Sequence, residues 1–590
     1  MNDITTFYPI RKIANIKDMI TQSADLFADK PAFMLKNSSG EYYNVTYKKF
    51  YNEINSLGSK LVADGYKGAH IAVMGANSYK WALSYMSIVC GTGVVVPIDK
   101  DLPFNDIKNI IEVGEVSAIF LDKKAAKIFA EHFEELPENF KIICFDDIRE
   151  EIPSALFFDE YLEEGKKIFS EGFRDFIDAE IDAEAMGILI FTSGTTGMAK
   201  GVMLSHRNIC SDISLLSGVV KIYPEDRLLS ILPLHHTYEC TLGFTMIMYS
   251  GACIAYCEGL RYIVRNLQEV QPTVFVTVPL MLEKFHHNIM KKAGEKKGGK
   301  LMLSVGKAIT NASSALGINV RDKIFGEIQK VFGGKLRLII TGAAPVNPEV
   351  VKDFKSFGIH VYLGYGLTEC SPLVIGNNDR LELADSVGVP LPGVEAKIIN
   401  PDENGIGEIC VKGPMVMMGY YKNPEETAKV FDEDGWFKTG DIGTVDEHGH
   451  YRISGRIKNV IVTKNGKNIY PEEVEFYLNN SPLISESIVV GKDDGDNDDV
   501  TVTAKIFPNF EELTKALKKP SPSMEEISSA IKEVIKDVNK KLPKYKAIKD
   551  FDIRETEFIK TTTQKIKRYA EEIKDKDKAK DSEHKESDKQ

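Results

Sequence analysis

Apolar runs of five or six residues recur along roughly the first 450 positions, separated by stretches in which apolar residues return every three or four places. Positions 93–98, 188–192, 228–232, 273–278 and 336–341 are β-rich runs of this kind. Runs of that length bounded by turn residues predict buried strands. Their alternation with helical patterns predicts an α/β body from about Ile10 to Arg452. After Gly455 the texture changes to shorter strands at 487–491 and 500–507, a helix entered at Pro471-Glu472, and a second helix beginning near Ser523. In that second helix Met524, Ile527, Ile531, Val534, Ile535 and Val538 fall at helical spacing, and Ser523 with Glu526 stands in capping-box register. Such a stripe is packing rather than a cofactor box. The predicted organisation is a large body over 1–455, a small α+β domain over 456–570, and a tail over 571–590. In the tail Lys alternates with Asp or Glu, and almost nothing apolar offsets the entropy of ordering it.

Size and charge narrow the function. The 590 residues, 43% hydrophobic and 27% charged, suit a multi-domain globular enzyme. Lys plus Arg number 74 against 86 Asp plus Glu, a net charge of −12. The resulting field repels polyanions and argues against nucleic acid as a partner. Eight cysteines are scattered without a matched CxxC pair, which argues against structural zinc and for a reducing compartment. The first twelve residues carry Asp3 and no apolar core, so no secretory signal is visible. The longest uncharged stretch, 242–257, is broken by Ser250-Gly251 and falls short of the roughly 20 residues a membrane span requires. A soluble cytoplasmic protein is expected, with no obligate protein partner evident. The segment 291–300, rich in Lys and Gly, is either a solvated loop or a basic patch facing anionic lipid or a phosphorylated thiol carrier. Peripheral contact at the inner membrane face therefore stays open.

The most informative segment is Thr192-Ser193-Gly194-Thr195-Thr196-Gly197-Met198-Ala199-Lys200-Gly201, which follows an apolar strand and precedes another. Glycines allow several amides to turn inward, hydroxyls add donors and Lys200 adds charge, so the loop suits a polyphosphate. It is not a Walker A loop, which needs Gly before Lys, Ser or Thr after it, and then a helix. Two other patterns fail on spacing. In the acidic stretch 493–499, counting from Asp494 puts Asp499 and Lys505 where a calcium loop needs Gly and Glu. Ser193, Ser205 and His206 lack the GxSxG elbow of a hydrolase.

The loop resembles the signature of the AMP-forming acyl-CoA synthetases, within the adenylate-forming enzymes. Further motifs of that family follow in its order: Leu232-Pro233-Leu234-His235-His236, Thr341-Gly342-Ala343-Ala344-Pro345, Gly364-Tyr365-Gly366-Leu367-Thr368-Glu369, Gly435-Trp436-Phe437-Lys438-Thr439-Gly440-Asp441, Gly455-Arg456-Ile457-Lys458, and Gly466-Lys467-Asn468-Ile469-Tyr470-Pro471. The resemblance runs from about Tyr47 to Arg568 and is closest to the long-chain fatty acid CoA ligases. It implies a multi-subdomain adenylate-forming body with a small mobile C-terminal lid. It also implies activation of a fatty acid through acyl-AMP to acyl-CoA, with ATP, Mg²⁺ and coenzyme A. The alternative is a ligase that loads an acyl-carrier protein. A nucleotide-binding protein without catalysis and a phosphotransferase releasing ADP are the rivals from other classes.

By resemblance, Thr192, Ser193, Gly194, Thr195, Thr196 and Gly197 hold the β- and γ-phosphates, with Lys200 near the leaving pyrophosphate. Thr368 touches the α-phosphate and Glu369 binds Mg²⁺. Gly342, Ala343 and Ala344 flank one face of adenine and Tyr365, next to Gly366, stacks on the other. Asp441 accepts from the ribose hydroxyls and Arg456 assists. His236 stands at the acyl carboxylate. Lys565, in Lys565-Ile566-Lys567-Arg568, bridges carboxylate and ATP, with Gln564 where many members have Gly. Lys458 is the hinge about which the lid turns between half-reactions, and Gly466 then meets the pantetheine of coenzyme A. Two features lean toward a long-chain acid: Glu239 after His236, and the segment 319–337. The implied acyl-lining segments, 236–244, 278–285 and 367–373, are apolar or small.

Overall fold

The computed structural model describes residues 5–192, 199–295, 303–310, 321–463, 467–493, 500–561 and 566–568. By compactness the chain forms two units, one of Met1–Ala396 with Val411–Phe437, the other of Lys397–Cys410 with Lys438–Gln590. The expected boundary at 455/456 falls inside the second unit, at the end of the strand Tyr451–Arg456.

The first unit is built on two mixed sheets. In the nine-stranded sheet, Cys253–Tyr256, Arg227–Ser230, Val274–Thr277, Leu338–Gly342 and His360–Gly366 run parallel as consecutive neighbours. An antiparallel strand, Leu373–Gly376, flanks them on one side; on the other, Pro31–Lys36 continues the parallel run and pairs antiparallel with Tyr42–Thr46. In the eight-stranded sheet, Met186–Thr192, Val94–Ile98, His70–Met74, Val116–Leu121 and Lys141–Cys144 are the parallel centre. The expected strands all form, within two residues of their predicted ends. They read as unbroken apolar runs because a parallel strand is covered on both faces: every residue of Val94–Ile98, Val274–Thr277 and Leu338–Gly342 is buried. Helices supply the cover. Phe332, Phe354 and Phe357 pack on Phe275, Ile339 and Val361 of one sheet, and Ile107, Ile110 and Phe129 on Ala72, Val96 and Ile119 of the other.

The second unit holds a four-stranded sheet in the order Glu395–Ile399, Gly407–Lys412, Phe437–Val445, Tyr451–Arg456. A three-stranded sheet, Ile484–Asp493, Val500–Pro508 and Asp550–Ile553, is covered by the helices Pro471–Asn479 and Met524–Asn539. Ser523 caps the second of these in the predicted box.

Three expectations need correction. The strand expected over 487–491 spans ten residues, Ile484–Asp493, because antiparallel pairing continues through polar neighbours such as Lys492↔Thr501; the strand expected over 500–507 forms within one residue of that range. The packed stripe begins at Ile527: Met524 is 42% exposed, since it stands at the helix end rather than on a wrong face. The first half of 291–300 is not loop but the last turns of the helix Pro279–Glu295, while 296–300 lies outside the described residues. The acidic stretch 494–499 and the charged tail also lie outside them.

No helix among the described residues is long and apolar enough to cross a membrane. All eight cysteines are free thiols, seven of them buried.

Candidate active site

The glycine-rich segment after Thr192 links two antiparallel strands, Met186–Thr192 and Lys200–Ser205, with Thr192 directly opposite Lys200. The Thr192 hydroxyl donates to the Lys200 carbonyl at 3.5 Å. Ser193, Gly194, Thr195, Thr196 and Gly197 lie outside the described residues. Beyond Lys200 the second strand pairs with Gly419–Tyr420, register Tyr420↔Val202, and this brings the Tyr420 ring to 5.2 Å from the Lys200 ammonium. The same ammonium is ion-paired with Glu426, whose other oxygen takes Lys429. These two cations hold the Glu426 carboxyl down at about 2.

Tyr420 also reaches the second part of the site. Its hydroxyl donates to Glu369 Oε1 at 2.9 Å, and the Met417 amide donates to the Glu369 carbonyl at 2.8 Å. Glu369 and the half-buried Thr368 form a single 3₁₀ turn after the strand His360–Gly366. That turn folds tightly onto the chain that follows: the Leu367 amide donates to the Pro372 carbonyl at 2.9 Å, and a Cβ on Gly366 would stand 1.8 Å from that oxygen. Mg²⁺ favours hard oxygen ligands and takes one or two carboxylates beside substrate phosphates. A carboxylate with one oxygen oriented by a hydroxyl, as Glu369 is by Tyr420, fits that pattern. Removing the Tyr420 hydroxyl, which orients the carboxylate, should raise the Mg²⁺ concentration for half-maximal activity about tenfold in Tyr420→Phe. An unchanged Mg²⁺ titration would refute that orienting role.

Gly342 and Gly364 are paired partners in neighbouring strands, and a Cβ on Gly342 would meet the Gly364 carbonyl at 2.7 Å. The chain then leaves the sheet through Ala343 at φ 72°, a left-handed conformation that costs a non-glycine residue roughly 1 kcal/mol. Such strain persists where the surroundings impose it and clusters at functional sites. Ala343 and Ala344 are exposed at the strand end, and Tyr365 is buried one residue beyond Gly364.

His236 is half-buried, with the His235 ring 4.3 Å away. Burial pushes His235 down to about 3, so it is neutral, and its Nε2 approach to Asp99 at 3.6 Å is a weak contact rather than an ion pair. Asn77 clamps the turn that carries both histidines. Its amide donates to the Leu232 carbonyl at 2.6 Å and its oxygen accepts from the Leu234 amide at 3.0 Å.

Glu239 is fully buried at the start of the π-helix Glu239–Thr245. Ser230 donates to Oε1 at 2.6 Å, and Oε2 has no hydrogen-bond partner among the described residues. Burial raises this carboxyl to about 8, from an ordinary 4.5. Folding therefore favours its neutral form. The associated stability is complete below about pH 4.5 and is lost as pH rises to about 8. Thermal melts at pH 5 and pH 8 should show a smaller loss for Glu239→Gln than for the wild type; parallel losses would exclude Glu239 as the cause.

In the second unit, Asp441 and Arg456 face one another across a β-hairpin, and the Arg456 Nε donates to Asp441 Oδ1 at 2.5 Å. Lys458 stands in the 3₁₀ turn Ile457–Asn459 just beyond. Gly466 and Lys565 lie outside the described residues, but Arg568 of the terminal lysine motif is anchored. Its guanidinium pairs with the buried Glu475 and donates to the Val489 carbonyl at 3.3 Å. The Lys567 amide donates to the Ile559 carbonyl at 2.8 Å.

Sequence reasoning did not name Tyr420, Glu426 or Asn77. Tyr420 lies 51 residues from Glu369, Glu426 lies 226 from Lys200 and Asn77 lies 157 from Leu234, so only sheet pairing and tertiary packing join them.

Comparison with known proteins agrees with this architecture. Residues 20–421 match the AMP-binding enzyme family model, and residues 458–576 match the model for the AMP-binding enzyme C-terminal domain. The chain belongs to the AMP-binding enzyme family. Among curated relatives, the Homo sapiens protein named long-chain-fatty-acid–CoA ligase 1 is 29% identical over 93% of this chain and 81% of its own length. The Arabidopsis thaliana peroxisomal long chain acyl-CoA synthetase 6 is 29% identical over 80% of this chain and 69% of its own. In fold, ATP-bound MatB from Rhodopseudomonas palustris superposes with a TM-score of 0.70 at 22% identity, covering 94% of this chain and 98% of its own. A Mycobacterium tuberculosis fatty acyl CoA synthetase superposes at 0.63 and 22%, covering 94% and 97%.

Proposed function

We propose that this protein is an AMP-forming fatty acid CoA ligase, acting on a long-chain acid. The observation that supports this is the Lys200–Tyr420–Glu369 cluster, in which one tyrosine touches both the lysine that would meet the phosphates and the carboxylate that would hold the metal ion. The two curated relatives, named as long-chain acid ligase and synthetase, supply the acid.

A carboxylate is a poor acyl donor, so it must first be activated. One of its oxygens attacks the α-phosphorus of ATP, the bond from that phosphorus to the bridging oxygen breaks, and pyrophosphate leaves with the electron pair. A thiol then attacks the acyl carbon of acyl-AMP, loses its proton and expels AMP. The first step brings anions together and depends on charge already in place. Thr192 with the loop Ser193, Gly194, Thr195, Thr196 and Gly197 would bind the β- and γ-phosphates, and Lys200 the leaving pyrophosphate. Thr368 would contact the α-phosphate. Glu369 would hold Mg²⁺, which offsets phosphate charge when bound. Gly342, Ala343, Ala344, Tyr365 and Gly366 would receive adenine, with Asp441 and Arg456 taking the ribose. His236, held by the Asn77 clamp, would orient the acyl carboxylate, and Lys565 would bridge it to ATP. Lys458 is the proposed hinge and Gly466 the proposed contact for the pantetheine of coenzyme A.

The test is AMP release with coenzyme A across acids from acetate to oleate, alongside acid-dependent exchange of labelled pyrophosphate into ATP. Exchange strongest with long-chain acids, and thioester formed on free coenzyme A, are expected. Absence of exchange with every acid would overturn the proposal; thioester formed only on a carrier protein would overturn the acceptor.

A further inference from the structure

The phosphate cation Lys200 already has an anion. Its ammonium is ion-paired with Glu426, and that carboxylate is shared: Oε2 meets Lys200 and Oε1 meets Lys429. Glu426 sits in the first turn of the helix Pro424–Val430, but the Asn423 side chain already caps that helix by accepting from the Glu426 amide at 3.1 Å. The Glu426 carboxylate is therefore available for the two lysines.

Two features make this pairing exchangeable. The side chains of Lys200 and Glu426 are 22% and 28% exposed, so water can solvate the separated charges, and breaking the pair does not strand a buried ion. Two cations and one anion leave a surplus of one positive charge. When Lys200 turns to an incoming phosphate, Glu426 keeps Lys429 and is not left unpaired.

We propose that Glu426 is a positioning residue that competes with pyrophosphate for Lys200, holding the ammonium between turnovers and favouring pyrophosphate departure. This deepens, and rests on, the adenylation chemistry proposed above. The ligand is an inorganic polyphosphate, and its oxygens and the Glu426 carboxylate exclude one another on the same cation.

The experiment is calorimetric binding of pyrophosphate, at fixed Mg²⁺, to four full-length proteins: wild type, Glu426→Gln, Lys200→Met and the double variant. Gln keeps the size and polarity of the side chain while removing its charge, and thermal melts check that each variant is folded. Glu426→Gln should bind pyrophosphate about two- to fivefold more tightly, the range spanned by partly exposed ion pairs. The same substitution on Lys200→Met should change nothing, because the competing partner is gone. A helix-stabilising role alone would not produce that dependence on Lys200. Unchanged affinity in Glu426→Gln, or an equal gain in the Lys200→Met background, would overturn the role of Glu426 while leaving the proposed reaction standing. Wild-type protein that binds no pyrophosphate would remove both together.

Discussion

Replacing Glu369 with Gln is expected to slow acid-dependent pyrophosphate exchange by about 10²-fold or more, the loss typical of removing one preorganised charge from a transition-state site. The substitution keeps the shape of the side chain and an oxygen for the Tyr420 hydroxyl, now at 2.9 Å from Oε1. It also leaves untouched the backbone bond from the Met417 amide, so the turn should hold. What disappears is the negative charge that a hard cation needs in order to lie beside triphosphate. Melting temperature should stay within the small range of a surface substitution while exchange collapses. Exchange within threefold or so of the wild type would show that Glu369 does not carry the cation.

Gly366→Ala is expected to cost about 3 kcal/mol or more and to abolish activity, because the new methyl has nowhere to go. Its Cβ would stand 1.8 Å from the Pro372 carbonyl oxygen and 2.9 Å from the Leu373 Cα, both backbone atoms. A side chain could rotate away from such a contact, but backbone cannot. Relief would require opening the Leu367–Pro372 hydrogen bond and shifting Thr368 and Glu369, which the turn positions. Thermal melts and nucleotide binding should both report the damage. A variant with wild-type melting temperature and activity would mean that the turn is far more compliant than its packing indicates. By contrast, alanine at Gly440 has open space, although φ 70° there still disfavours a side chain.

The parallel strands were legible because burial on both faces leaves no polar alternation to misread: the runs around Val95, Leu189, Val276 and Ile339 stood out as apolar blocks. The motif residues were legible too, since Thr192, Lys200, Thr368 and Glu369 lie in short contiguous segments whose chemistry is local. The full length of the strand Ile484–Asp493 was not, because Lys492 continues the ladder opposite Thr501 through backbone bonds that are indifferent to side-chain polarity. The supporting residues were hidden for another reason. Tyr420 gains its place from pairing with Val202, Glu426 from a helix that follows, and Asn77 from a turn that meets the loop after Ser230. No spacing in the chain announces these meetings. Glu239 was noticed for its position after His236, but its raised pKa follows from complete burial, which only packing reveals.

The four-stranded sheet draws two strands from the chain around Lys397–Cys410 and two from the chain after Val411–Phe437. Dissection of the molecule is therefore not a matter of one cut. A fragment starting at Lys438 would carry the hairpin of Asp441 and Arg456 without the neighbouring strand Gly407–Lys412, leaving a bare row of amides and carbonyls open to self-association. A separately expressed version needs 395–412, which carries both missing strands, grafted back by circular permutation or a designed linker before Asp441 and Arg456 can be studied alone.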